Sequence, residues 1–88
     1  MILTIDVGNT NVVFGLFSGK RLLKEWRFPA KKFKLPKIKT KLSAVIVASV
    51  VPSLNRKLKT GIRKQFECTP FFVTAENIPG LKVRLKKK

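Results

Sequence analysis

The 88-residue chain forms one domain at most, and its 44% of hydrophobic residues excludes the composition of a disordered protein and predicts a packed core. Lys and Arg number 20 against 4 Asp and Glu, and the resulting net charge of +16 attracts anions of every kind without selecting among them. One cysteine and no histidine exclude an internal disulfide, Cys/His zinc sites and imidazole catalysis, and favour a reducing, cytoplasmic location.

The first part of the chain predicts three consecutive antiparallel strands. Ile2 to Val7 and Asn11 to Phe17 are strand-like segments separated by the turn formers Gly-Asn-Thr. Ser18-Gly19 then forms a hairpin turn that leads into a third strand, Arg21 to Phe28. Period-two alternation on this strand places three apolar side chains on one face, and we expect them to pack in the core: Leu22, Trp26 and Phe28.

The next segment, AKKFKLPKIKTK, has no strong period and contains Pro36, so we expect no full helix there. Ser43 to Val51 is a continuous apolar run, rich in β-branched residues, of the kind found in strands buried on both faces of a parallel sheet. We expect this strand to be central. Its longest apolar segment, AVIVASVV, is eight residues long and too short to cross a bilayer, and no membrane partner is expected.

A helix is predicted from Ser53 to Phe66, with Ser53 as its N-cap. Apolar residues recur at every fourth position along one of its faces: Leu54, Leu58, Ile62 and Phe66. Pro70 to Thr74 then reads as a short strand, and the chain from Leu81 alternates like an edge strand with a basic end. This order predicts an α/β domain with a mixed sheet, three antiparallel strands followed by parallel ones, and one well-formed helix.

The stretch IDVGNTNVVFGLF places the chain's only aspartate, Asp6, at the end of an apolar strand and directly before Gly-Asn-Thr-Asn. Backbone N–H groups from Gly8 to Asn11 can bind phosphate oxygens as an anion-binding nest, and Thr10 and Asn11 add side-chain donors. Asp6 would repel phosphate, so its natural role is to hold Mg²⁺. Ordinary turn chemistry, in which Asp6 accepts backbone hydrogen bonds within a tight hairpin, explains the same residues equally well.

Two blocks in the right order carry a resemblance to a known family: Asp-Val-Gly-Asn-Thr-Asn, which begins at Asp6, and Ser-Val-Val-Pro-Ser-Leu-Asn, which begins at Ser49. They resemble the N-terminal part of the type III pantothenate kinases, members of the actin and sugar-kinase superfamily. The resemblance runs from Met1 to about Arg84. It implies a ribonuclease H-like βββ(α)βαβ half-domain, in which residues 1–88 are a single domain similar to the ATP-binding half of the enzyme and the second domain is absent.

The resemblance also implies a site and an activity. The family transfers the γ-phosphate of ATP to pantothenate in the first step of coenzyme A synthesis, using Mg²⁺ and a monovalent cation, K⁺ or NH₄⁺. The complete enzyme is expected to be a homodimer in the cytoplasm. Asp6 would lie near the metal, and the end of the fourth strand, Ser49 to Pro52, would border the cleft without an assigned contact. The implied ATP-binding residues are Asp6, Val7, Gly8, Asn9, Thr10, Asn11, Val12 and Val13.

Departures from the family pattern limit this expectation. The sequence lacks the Gly-Ala-Asp-Arg motif whose aspartate is the general base, and it lacks the second Asp-x-Gly-Thr phosphate loop. No catalytic residue is therefore assigned, and pantothenate is expected as a substrate only with the missing half. The crossover helix between the third and fourth strands is also shortened. Two alternatives remain open: a basic module that binds nucleic acid or other polyanions without sequence specificity, and an inert truncated fragment.

Overall fold

A computed structural model of the chain describes residues 1–73. They form five strands and one α-helix, joined in part by two short 3₁₀ turns. The elements are β1 (Ile2–Val7), β2 (Asn11–Ser18), β3 (Arg21–Pro29), a 3₁₀ turn (Ala30–Lys32), β4 (Ala44–Ser49), a 3₁₀ turn (Pro52–Leu54), α1 (Asn55–Phe66) and β5 (Phe71–Val73). The predicted ribonuclease H-like α/β half-domain with a mixed sheet and one helix is confirmed.

The five strands make a single sheet in the order β3-β2-β1-β4-β5. β1 pairs antiparallel with β2, and β2 pairs antiparallel with β3. β1 also pairs parallel with β4, which pairs parallel with β5. The predicted change from antiparallel to parallel strands is confirmed, although the middle strand is β1 and not β4. The strand predicted from Leu81 lies outside the described residues.

One face of the sheet, here called the core face, is closed by α1. Strand alternation sends every second side chain of β1, β2 and β4 to this face, where α1 adds two fully buried residues. The buried cluster is Leu3, Ile5, Val7, Val12, Phe14, Val45, Val47, Leu58 and Ile62. Because these strands are paired on both sides, the sheet backbone can be buried there with its hydrogen bonds satisfied.

The start of α1 differs from the prediction. Pro52–Leu54 form a 3₁₀ turn, and the α-helix begins at Asn55 with Leu54 as its N-cap. No side-chain hydrogen bond caps this helix, so the expectation that Ser53 is the N-cap is wrong. Proline fixes the backbone for a first helical turn, and here that turn is of the tighter 3₁₀ type.

The segment between β3 and β4 contains no α-helix after its short 3₁₀ turn. Its apolar side chains nonetheless pack against the core: Phe33, Leu35, Ile38 and Leu42. The Gln65 side-chain amide donates a 2.9 Å hydrogen bond to the Pro36 carbonyl, which ties the segment to α1. A Cβ at Gly61 would lie only 3.1 Å from Leu35 Cδ1, so the absent side chain lets the segment approach the helix closely. This extended segment provides the cover that a crossover helix would supply.

A β-bulge interrupts the pairing of β2 with β3. Leu16 lies opposite Lys24 whereas Phe17 lies opposite Leu22, so Leu23 is an extra residue on β3. The extra residue turns Leu22 away from the core face and leaves it 47% exposed. The expectation that Leu22 shares a face with the core residues Trp26 and Phe28 is therefore wrong. Phe28 does pack on the core, edge-to-face against Phe14 with ring centroids 5.9 Å apart.

The other face of the sheet, here called the open face, is covered by no helix within residues 1–73. Successive rows of side chains cross it from β3 to β5. One row is Arg27, Val13, Asp6, Ala48 and Val73, and the next is Glu25, Gly15, Thr4, Ile46 and Phe71. Ile46 is only half-buried here, whereas Val45 and Val47 are buried on the core face. The expectation that the Ser43 to Val51 strand is buried on both faces is thus wrong for the open face.

Candidate functional site

A tight turn joins β1 to β2 at one end of the open face. The Gly8 amide donates to the Asn11 carbonyl at 2.9 Å and closes the turn around Asn9 and Thr10, which are exposed. The Thr10 carbonyl accepts a 2.8 Å hydrogen bond from the Ala30 amide, so the residue that follows β3 holds the turn in place. A Cβ at Gly8 would lie 3.3 Å from the Asn11 carbonyl oxygen, which is tighter than usual and favours glycine. The backbone of the turn is fixed while its tip faces solvent.

A cleft of about 510 Å³ lies against this turn, open to solvent. Six of the eight residues expected to bind ATP line it, and one unexpected residue joins them. The lining residues are Asp6, Gly8, Asn9, Thr10, Asn11, Val13 and Arg27. The remaining two expected residues, Val7 and Val12, are 1% and 0% exposed and belong to the core. Their side chains can serve the cleft only by fixing the strands from which the turn projects.

The turn offers fewer backbone donors than the predicted nest. The Gly8 N–H is already bonded to the Asn11 carbonyl and is not directed at a ligand. Donors for phosphate at this turn must therefore come from the residues after Gly8. The hydroxyl of Thr10 and the amides of Asn9 and Asn11 supply side-chain donors at the cleft wall.

Among the described residues that line the cleft, Asp6 is the one carboxylate. It lies on β1 between Val13 of β2 and Ala48 of β4, and it is half-buried. Within residues 1–73, no three His, Cys, Asp or Glu side chains are grouped so that they could hold a metal ion by themselves. One carboxylate suits Mg²⁺ that arrives with a polyphosphate, since this ion is usually held by one or two carboxylates together with phosphate oxygens and water. The donor set fits a metal–nucleotide complex.

Sequence reasoning missed Arg27, which comes from β3. Arg27 lies opposite Val13, and Val13 lies opposite Asp6, so the three residues form one row across three strands. Its presence in the cleft depends on the register of β3 against β2. Alternation along β3 places Arg27 on the opposite strand face from Trp26 and Phe28. Alternation alone does not show which residue of β2 Arg27 pairs with.

The residues that follow β4 hold the ends of β1 and β4 together next to the cleft. The Val50 amide donates to the Val7 carbonyl at 3.0 Å, which ties the ends of β4 and β1 together. The Ser49 hydroxyl accepts from the Val51 amide at 3.1 Å and so shapes the turn into α1. Ser49, Val50, Val51 and Pro52 do not line the cleft. They position the strand ends next to it.

The mixed sheet and single helix define an α/β half-domain of the ribonuclease H-like class. The sequence model of the type III pantothenate kinases matches residues 2–88. The chain belongs to that family.

Individual relatives agree with this assignment. Type III pantothenate kinase of Desulfosudis oleivorans is 34% identical over 99 residues, which include 96% of this chain. The enzymes of Paramagnetospirillum magneticum and Myxococcus xanthus are each 36% identical, over 99% and 93% of this chain. The matched regions are 39%, 40% and 36% of the three relatives, so the chain spans about two fifths of the length of the curated relatives it matches. No helix in the described part of the chain is long and apolar enough to span a membrane.

Proposed function

We propose that the chain is the ATP-binding N-terminal portion of a type III pantothenate kinase. The complete reaction converts ATP and pantothenate to ADP and 4′-phosphopantothenate in cytoplasmic coenzyme A synthesis. The observation that supports ATP binding is the cleft itself, in which Asp6 and the donors from Asn9 to Asn11 face one space at the end of the sheet. Pantothenate, the monovalent cation K⁺ or NH₄⁺, and homodimer formation belong to the complete enzyme.

Three residues of the cleft, Asp6, Thr10 and Asn11, have distinct parts in this proposal. Asp6 would hold Mg²⁺ through its carboxylate, and the bound ion would neutralise phosphate charge. Thr10 and Asn11 donate hydrogen bonds to phosphate oxygens. The Ala30 amide, 2.8 Å from the Thr10 carbonyl, keeps the turn in the conformation that presents these donors. The binding residues are thus ordered before the nucleotide arrives, which lowers the entropic cost of binding.

The chain alone is proposed to bind the nucleotide without transferring phosphate. Transfer to an alcohol requires a base that takes the hydroxyl proton within hydrogen-bond reach. Besides Asp6, the carboxylates among the described residues are Glu25 and Glu67, and neither lines the cleft. Asp6 is assigned to the metal, so none of these described carboxylates is left to act as the base.

The test is a calorimetric titration of Mg-ATP into the 88-residue chain at physiological salt, with Asp6→Asn compared against Glu25→Gln. Both variants remove one negative charge, so the overall field of the protein changes equally in both. We expect Asp6→Asn to weaken Mg-ATP binding by about tenfold or more, because a carboxylate–metal contact is lost. Glu25 is exposed and outside the cleft, so Glu25→Gln should bind as the unchanged chain does.

The same titration with EDTA in place of Mg²⁺ separates metal binding from direct contact. Without the metal, the Asp6 carboxylate repels phosphate, so Asp6→Asn should bind ATP at least as tightly as the unchanged chain. Equal Mg-ATP affinity for Asp6→Asn and Glu25→Gln would refute the proposed role of Asp6. Steeply salt-dependent binding to single-stranded oligonucleotides, unaffected by Asp6→Asn, would instead favour a polyanion-binding module. Turnover of ATP with pantothenate by the chain alone would contradict the proposed inactivity.

A further inference from the structure

We propose that Arg27 binds the phosphate chain of the nucleotide and makes the cleft select polyphosphates over monophosphates. This inference rests on the proposed ATP-binding function and assigns a residue outside the β1–β2 turn to the same site. Within residues 1–73, Arg27 is the one cationic side chain that lines the cleft. The net charge of +16 is spread over the whole chain, whereas the Arg27 side chain lies at the cleft wall beside the β1–β2 turn.

The sheet register gives the spacing between Arg27 and the metal-binding carboxylate. Arg27 pairs with Val13 and Val13 pairs with Asp6, so two strand spacings separate Arg27 from Asp6. Neighbouring strands lie about 4.8 Å apart, which puts the two Cα atoms about 10 Å apart across the floor of the cleft. A phosphate chain that lies above Val13, beside the Asp6 carboxylate, would be within range of an extended Arg27 side chain. The apolar side chain of Val13 between them offers no competing donor.

The other cations of β3 are directed elsewhere. Arg21 lies at the opposite end of the strand, paired with Ser18. Lys24 lies on the core-face side of the strand with its Nζ 5.2 Å from the centroid of the Trp26 ring. Of the three cations of β3, Arg27 is therefore the one that brings positive charge to this end of the open face. Its planar guanidinium can donate two hydrogen bonds to a phosphate at once, which an ammonium group cannot match.

The backbone holds Arg27 in a fixed position relative to the turn. Pro29, two residues further along β3, pairs with Asn11 at the end of the turn. The Ala30 amide donates to the Thr10 carbonyl, so the end of β3 and the turn form one hydrogen-bonded unit. A phosphate held by the turn is consequently held at a fixed distance from the strand that carries Arg27. Such preorganisation favours a direct contact over long-range attraction.

The test compares Arg27→Gln with Arg21→Gln in titrations of Mg-ATP and AMP at one ionic strength. Both variants remove one positive charge from the same strand, so a loss specific to Arg27 cannot come from the overall field. We expect Arg27→Gln to weaken Mg-ATP binding by about tenfold, as for loss of a charge-assisted hydrogen bond, and AMP binding by less than about twofold. Arg21→Gln should change both affinities by less than about twofold, since Arg21 lies far from the cleft.

The outcomes separate this inference from the function on which it rests. Equal Mg-ATP affinities for Arg27→Gln and Arg21→Gln, with binding that still depends on Asp6, would overturn the role of Arg27 and leave the proposed function intact. Absence of Asp6-dependent ATP binding in the unchanged chain would overturn both. Circular dichroism checks the fold of each variant. If Arg27→Gln is unfolded, Arg27→Lys decides the matter: a lower ratio of ATP to AMP affinity supports the inference and an unchanged ratio overturns it.

Discussion

Gly15 lies in β2 beneath a crowded part of the open face, and we predict that Gly15→Ala destabilises the fold. A Cβ at this position would lie 2.9 Å from Thr4 Oγ1 and 3.2 Å from Phe17 Cε1. The Phe17 ring can swing aside, but Thr4 is β-branched and has little rotamer freedom. Thr4 Oγ1 also donates to the Gly15 carbonyl at 3.3 Å, so its oxygen cannot rotate away without losing that hydrogen bond.

The size of the effect follows from two opposing contributions. Overpacking of a tight site costs about 1–3 kcal/mol. Replacing glycine by alanine in an extended backbone returns about 0.5–1 kcal/mol, because the unfolded chain loses freedom. The net destabilisation is then about 0–2.5 kcal/mol, with a middle value of about 1 kcal/mol. Thr4→Ala removes the obstructing oxygen at a cost of about 1 kcal/mol for its hydrogen bond. In that background Gly15→Ala should be nearly neutral.

Urea denaturation of the unchanged chain, both single variants and the double variant measures this coupling. We expect the cost of Gly15→Ala to fall by about 1–2 kcal/mol when Thr4 is replaced by Ala. Equal costs in the two backgrounds would show that Thr4 Oγ1 is not the obstacle. A stabilising Gly15→Ala in the unchanged background would refute the steric reasoning altogether.

Three further predictions concern other parts of the fold. Glu67, the C-cap of α1, has a left-handed φ of 55°, so Glu67→Gly should raise the free energy of unfolding by about 1 kcal/mol. Glu67→Gln removes the same charge but keeps the Cβ, so equal melting temperatures for the Gly and Gln variants would argue against backbone strain at this position. Ile62 is 0% exposed, and Ile62→Ala should cost about 2–5 kcal/mol in urea denaturation, against about 0.5 kcal/mol or less for the exposed Arg63→Ala. Leu22 and Phe71 are 47% and 52% exposed on the open face, so we expect the chain to self-associate through this apolar surface. Sedimentation velocity at increasing protein concentration measures the association, and an unchanged association constant after both residues are replaced by Lys would contradict this prediction.

The sequence predicted most elements of the fold because their signals are local. β1 has the predicted bounds Ile2–Val7, and β2 extends the prediction by one residue to Ser18. The helix was found from its apolar period, but that period does not reveal where α-helical hydrogen bonding starts after Pro52. The position of Leu22 was not predictable in the same way, because a bulge is a property of two paired strands and not of one.

The residues of the candidate site also differ in how far the sequence predicts them. Asp6 and the turn residues from Gly8 to Asn11 are contiguous in sequence, so a motif suffices to bring them together. Period-two alternation could have assigned Val7 and Val12 to the core, since they lie on the opposite strand face from Asp6 and Val13. Arg27 needed the register of a third strand, which the motif does not contain.

The bulge at Leu23 has a consequence for how this cleft tolerates insertions and deletions. If every residue after the Ser18–Arg21 pair were paired regularly, with no bulge, Arg27 would meet Val12, whose side chain faces the core. Because Leu23 is bulged out, Arg27 instead meets Val13 on the open face. Deleting Leu23 would close the bulge and keep Arg27 opposite Val13, whereas one residue inserted beside Leu23, with a bulge of the same size, would exchange the two sides of the rest of β3 and direct Trp26 toward the open face. The length of this hairpin, and not only the identity of its residues, determines which chemistry the cleft contains.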